Sequence, residues 1–149
     1  MATKTDVKTD LLMLAERCER ATGPSRHLDM QIFIVLDPNA QHIVGQKPGP
    51  FPQKAIYGPR SSFWDWAMDE DKELPQFAPI LAYTASLDAA LTLVPEGRRR
   101  IEFGTYEGGR AWAYVHTNAD IIGETDDAPT EAVAICAAAL RARAQEQHP

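Results

Sequence analysis

The segment Arg99-Arg100-Ile101-Glu102-Phe103-Gly104-Thr105-Tyr106-Glu107-Gly108-Gly109-Arg110-Ala111-Trp112-Ala113-Tyr114-Val115 decides how the chain folds. Arg99, Ile101, Phe103 and Thr105 alternate with Arg100, Glu102, Gly104 and Tyr106 at the period of two that sends successive side chains to opposite faces of a strand. Glu107 to Arg110 is the turn, because paired glycines accept the positive φ angles of tight hairpins. Ala111 to Val115 then returns with Trp112 and Tyr114 on one face and small residues on the other. A β-hairpin with one apolar and one mixed face is the expectation. Asp120-Ile121-Ile122-Gly123-Glu124, apolar and β-branched between polar turns, is a third strand or the start of one.

Helical periods flank this sheet on both sides. Ala132, Ile135, Cys136, Ala139, Leu140 and Arg143 make one stripe of a 3.6-residue period, with Pro129 suited to the first helical position and Asp127 or Ala128 to the cap. Its small residues let the helix lie close to a sheet, with Cys136 buried against that sheet, so that Cys136→Asp would cost several kcal/mol through an unpaired buried charge. Upstream, Ser86 caps a short helix through Leu87, Ala90, Leu91 and Val94, ended by Pro95 and Gly97.

Near the start, a helix from about Val7 to Thr22 turns Leu11, Leu14, Ala15, Cys18 and Thr22 inward. Leu12 widens that stripe, and Glu16, Arg17, Glu19 and Arg20 form the wet face. Gly23-Pro24 stops it. Ser25 caps a second helix aligning Leu28, Ile32, Val35 and Leu36. Ile32 to Leu36 alone also fits a strand, but an α-hairpin lets both stripes share one core.

Residues 1–149 therefore read as a single α+β domain. It comprises a helical hairpin over 7–36, an irregular middle over 37–79, and a helix, hairpin, strand and C-terminal helix over 83–144. Seven prolines break the middle, where His42 to Gly45 and Ala55 to Tyr57 are candidate edge strands. Ser61 to Met68 is one helical turn or a strand.

A chain of 149 residues with 44% hydrophobic and 24% charged content can bury a core without disulfides or metal. Its net charge of −6 argues against general nucleic-acid binding, and Arg98-Arg99-Arg100 is too short to reverse that. No segment is long and apolar enough to span a bilayer, and Met1 to Asp10 lacks a signal-peptide core, so an intracellular, cytoplasmic location is expected. Cys18 and Cys136 read as reduced buried thiols, a disulfide being the lesser alternative. His27, His42, His116 and His148 show no metal-ligand spacing; neither metal nor cofactor is expected.

Two places could bind something. Arg98, Arg100, Trp112 and Tyr114, beside Glu102 on the mixed hairpin face, could pair an anionic group while a ring stacks, as a nucleotide-like ligand requires. Against this, helices over both sheet faces would make Trp112 and Tyr114 core, the favoured alternative, and the arginines could pair Glu96, Glu102 and Glu107 on the surface. Trp64 and Trp66, ahead of Asp69-Glu70-Asp71, offer an apolar spot with an acidic rim for a partner, or else plug the core edge. A hydrolase built on Asp65, Asp69, Asp88 and His116 is the weakest idea, because nothing in their spacing makes them converge.

Ala21 to Asp29, Tyr83 to Gly97 and Ala134 to Arg143 together resemble the small phage and prophage proteins grouped as the phage ABA sandwich domain. The last two segments are the most specific, and the resemblance spans nearly the whole chain. It implies an α/β/α layered fold with a mostly antiparallel sheet, a phage or prophage origin, and no established catalytic residues to carry over. The chain departs after Gly97, where relatives often have tryptophan and this one has Arg98, which leaves the surface there in question. The function expected is that of an accessory protein binding a host protein or a small anionic ligand. A small nucleotide-directed hydrolase or transferase is the alternative, as is a part of the phage particle. A homo-oligomer joined through exposed strand edges would favour the last.

Overall fold

A computed structural model describes residues 4–36, 41–43, 54–56, 80–97 and 100–146. Helices α1 (Lys4–Arg20) and α2 (Arg26–Leu36) form the expected hairpin. Ser25 caps α2 by accepting from the Leu28 amide on its Oγ. Strands β1 (Gln41–Ile43) and β2 (Lys54–Ile56) pair antiparallel, where two edge strands were anticipated. A short helix α3 (Leu87–Leu91) follows its Ser86 cap. Strands β3 (Arg100–Thr105), β4 (Ala111–His116) and β5 (Ile121–Ala128) then build an antiparallel sheet in that order, and α4 (Glu131–Gln145) closes the chain. The α+β class, with terminal helices layered on an antiparallel sheet, is as the residue pattern indicated.

The hairpin register places Ile101 opposite Val115, Phe103 opposite Ala113 and Thr105 opposite Ala111, so the apolar residues of β3 share a face with the small residues of β4. Gly108 and Gly109 both take positive φ, 102° and 96°, where an L side chain would be strained. β5 runs four residues beyond the expected Glu124, because Ala128 still pairs with Ala111. That extension moves the helix start: Thr130, not Asp127 or Ala128, caps α4 by accepting from the Val133 amide, and Pro129 lies before the cap.

The closing helix departs furthest from its simple stripe. Every residue from Ala132 to Leu140 is buried, as are Ala142 and Ala144. α4 is thus wrapped rather than laid on a surface, with the sheet on one side and α1 and α3 on others. A helix apolar all round belongs in an interior, and alanines let each neighbour come close. The closest approach is at Gly123 of β5, where an added Cβ would lie 2.1 Å from the Ala138 carbonyl oxygen and 2.5 Å from the Ala142 nitrogen. Since Ala138 and Ala142 face the sheet, Cys136 points the other way. Its thiol donates to the Tyr83 carbonyl at 3.2 Å, so the expectation that it packs on the sheet is corrected while its burial stands. Cys18 and Cys136 are both free, and burial pushes both thiols up, Cys18 to about 12, which keeps them protonated and unreactive.

Two polar clusters pin the helices. Asp29, 1% exposed, accepts from the Thr84 amide at 2.9 Å and hydroxyl at 2.8 Å on Oδ1, and from Arg26 at 2.9 Å on Oδ2. Arg26 also reaches the carbonyls of Ile80 and Leu81, and the Ser25 amide donates to Thr84 Oγ1, so residues 80–84 are bound to the start of α2. The second cluster overturns the wet-face assignment of Glu19. Its carboxylate receives both Arg141 nitrogens, at 2.5 and 2.7 Å, together with the Thr125 hydroxyl, joining α1, β5 and α4. Thr22 and Leu12, expected inside, are exposed.

Burial alone would raise the Glu19 carboxyl, but the hydrogen bonds from Arg141 and Thr125 outweigh it and the net shift is downward. A lowered folded value means stabilisation that is complete above the ordinary value of 4.5 and lost as pH falls through the folded one. Glu19→Gln should therefore lose about 2 kcal/mol at neutral pH, the worth of charge-assisted hydrogen bonds at a half-buried site. Denaturant unfolding of both proteins at neutral and acid pH checks this. The gap should close on acidification, and a pH-independent gap would mean that the lost interaction is not ionic.

Candidate functional site

The face of the sheet turned away from α4 carries the residues anticipated for ligand binding. Alternation on β3 and β4 places Arg100 opposite His116, Glu102 opposite Tyr114 and Gly104 opposite Trp112. Trp112 and Tyr114 are only partly buried, with ring centroids 5.3 Å apart and planes tilted by 34°. They are not the core residues that the favoured alternative made them. Gly104 explains the pose of the indole, because a Cβ there would come within 2.9 Å of Trp112 Cζ2.

The structure brings Arg100, Trp112 and Tyr114 onto this one face. Arg98 lies outside the described residues, as do Trp64 and Trp66. A hollow of about 260 Å³ opens at the Arg100 end, lined by Arg100, Glu102, Tyr114, His116 and the turn 117–121. In the sequence His116 stands out only as a histidine without metal-ligand spacing and as a member of the weak hydrolase set. Here its Nε2 stands 3.6 Å from Glu102 Oε1, with its side chain 14% exposed against 65% for Glu102. Asp88 is exposed on α3, which packs on α4 and so is separated from His116 by that helix and the sheet; Asp65 and Asp69 lie outside the described residues.

Acidic residues on β5 complete the face, and sequence reasoning passed over them. Glu124 stands opposite Tyr114, and Asp126 accepts the Tyr114 hydroxyl at 2.7 Å. Glu124 and Asp126 are two apart, so carrying the strand alternation past Glu124 would have found them. Asp127 instead takes Arg110 at 2.5 Å, which ties the hairpin turn to β5.

The hydrogen bond to Asp126, with smaller contributions that include Glu124, pushes the Tyr114 phenol up to about 12. The neutral phenol is the favoured form, and what it contributes is present below the ordinary value of 10 and lost as pH rises toward 12. In a titration of tyrosinate absorbance across the four tyrosines, Asp126→Asn should bring the latest step down toward 10. An unchanged profile would show that the bond is not made in solution.

Thr117, the hydroxyl nearest the hollow, already accepts from the amides of Ala119 and Asp120. Tyr114 is held protonated, so neither offers an activated nucleophile. Among the described residues no group of three or more His, Cys, Asp or Glu could hold a metal ion, and no described helix is long and apolar enough to cross a membrane. Compared with known proteins, the chain matches no family model, no curated protein and no solved structure.

Proposed function

We propose that this chain is an accessory protein of phage or prophage origin that works by binding, in the cytoplasm of a bacterial host, and that a host protein docks on the face of the three-stranded sheet turned away from α4. The observation that carries the binding role is the tilted Trp112–Tyr114 pair left partly exposed at the centre of that face. Large aromatics at a surface are the side chains that most often anchor a protein contact. The phage origin rests on the resemblance over Ala21 to Asp29, Tyr83 to Gly97 and Ala134 to Arg143.

Affinity capture from host lysate, with wild type and a Trp112→Ser/Tyr114→Ser variant side by side, tests this. Proteins retained by wild type should be lost on a variant that keeps the wild-type melting temperature. An identical set on both would remove the sheet face as the binding surface.

A nucleotide-like anion is the second reading, favoured by Arg100 beside the hollow and within reach of the same face as Tyr114. Glu102 in that hollow, with Glu124 and Asp126 along the strand beside it, opposes a phosphate. Calorimetric titration with mono-, di- and cyclic nucleotides separates the two. Saturable heat that Arg100→Ala abolishes would favour the anion.

A further inference from the structure

Resting on that protein-binding reading, we infer that the partner presents a basic segment, and that a Lys or Arg side chain of it lies across Trp112 and Tyr114 between the carboxylates of Glu102, Glu124 and Asp126. The face is built as a complement to such a chain. Tyr114 sits in the middle strand with Glu102 opposite it on β3 and Glu124 opposite it on β5, so carboxylates flank the rings on both sides. Asp126 follows two residues beyond Glu124 and holds the phenol from the same strand. Glu102, Glu124 and Asp126 are all exposed, and Arg100, two residues before Glu102 and opposite His116, stands at the hollow end of the face.

A long basic side chain has an apolar stem and a cationic head. The stem gains from covering the indole, which Gly104 holds flat against β3, and the head gains from the ring faces and from the surrounding acids. A purely apolar partner would gain only half of this, and an anionic one would meet the like charge of Glu102, Glu124 and Asp126. The net charge of −6 adds a longer-ranged attraction for the same kind of partner.

The test uses the full chain and a dye-labelled oligolysine peptide, followed by fluorescence anisotropy at low and moderate salt, with labelled oligoglutamate as the opposite probe. Neutralising the face in Glu102→Gln/Glu124→Gln/Asp126→Asn should weaken oligolysine binding roughly tenfold or more, the combined effect of three exposed charge contacts. The same charge change made elsewhere, in Glu16→Gln/Asp88→Asn/Glu96→Gln, should stay within roughly twofold once salt screens the long-range field. Trp112→Leu keeps every charge and should still weaken binding roughly threefold through the lost ring face.

Equal loss in the two triple variants, no effect of Trp112→Leu, or equal binding of oligoglutamate would each overturn the inference. If lysate capture depends on the aromatic pair but oligolysine does not bind, the binding role stands and the basic partner is excluded. If oligolysine binds at the face but lysate capture is unaffected by the aromatic pair, the host-protein reading fails on its own.

Discussion

Gly123→Ala should lower the stability of the fold by about 3 kcal/mol or more, at the upper end of what overpacking does, and is expected to show as a large drop in the urea midpoint. The reason is backbone, not side chain. The new methyl would meet the carbonyl oxygen of Ala138 and the amide nitrogen of Ala142, at 2.1 and 2.5 Å, and neither atom can swing aside as a flexible side-chain tip could. Relief requires α4 to move away from β5, yet α4 is packed by α1 and α3 on its other sides, so a shift in one direction compresses another contact. Gly104→Ala is the internal control. Its methyl would meet the Trp112 indole at Cζ2, Cε2 and Nε1, a partly exposed side chain that can shift where backbone cannot, so the loss there should be under about 1 kcal/mol. Comparable losses at both glycines would mean that the helix and strand are not in this close register.

The second large effect is expected at Asp29. Asp29→Ala removes the acceptor for the buried Thr84 amide and hydroxyl together with the partner of Arg26, and should cost about 3 to 4 kcal/mol. Most of that loss comes from the stranded amide, because Arg26, with its side chain 54% exposed, can return to water. The series therefore has an order. Asp29→Asn keeps one acceptor oxygen and should lose less, and Arg26→Ala should lose least, about 1 kcal/mol, as a half-exposed ion pair does. Denaturant melts of the three variants check the ranking. Arg26→Ala as damaging as Asp29→Ala would place the stabilisation in the ion pair instead of the amide.

Local chemistry made part of this fold legible. The paired glycines after Tyr106, the period of two through Ile101 and Phe103, and the Ser86 and Ser25 caps are all signals that a few neighbouring residues settle among themselves. What escaped depends on partners distant in the chain. Glu19 looks like any surface glutamate until Arg141, 122 residues later, is brought beside it. Asp29 has only the half-exposed Arg26 as a partner on its own apolar helix; Thr84, 55 residues on, accounts for its burial. Asp127 reads as a cap for the closing helix and Asp126 as part of the turn after Glu124, and only Tyr114 on β4 and Arg110 in the hairpin turn show them to be strand residues.

The candidate site divides in the same way. Alternation alone put Arg100, Glu102, Trp112 and Tyr114 on one face, and the register confirms the sharing. Whether that face was open could not be read from the hairpin, because covering it or not is a matter of where the helices go. The alanines of α4 were legible as a close-packing surface, but one stripe of them was expected where nearly the whole circumference is used.

That circumference has a consequence for synthesis. The element around which α1, α3 and the sheet assemble is encoded after all of them, so a growing chain carries α1 and the sheet without the helix that packs on both until residues 131–145 leave the ribosome. At elongation rates of roughly 5 to 20 residues per second, that interval lasts on the order of ten seconds. Nascent chains stalled before Glu131 should be cut readily by protease and held by chaperones. Chains extended until α4 clears the exit tunnel should become resistant in a single step, as one helix fills a space that every earlier element had been holding open.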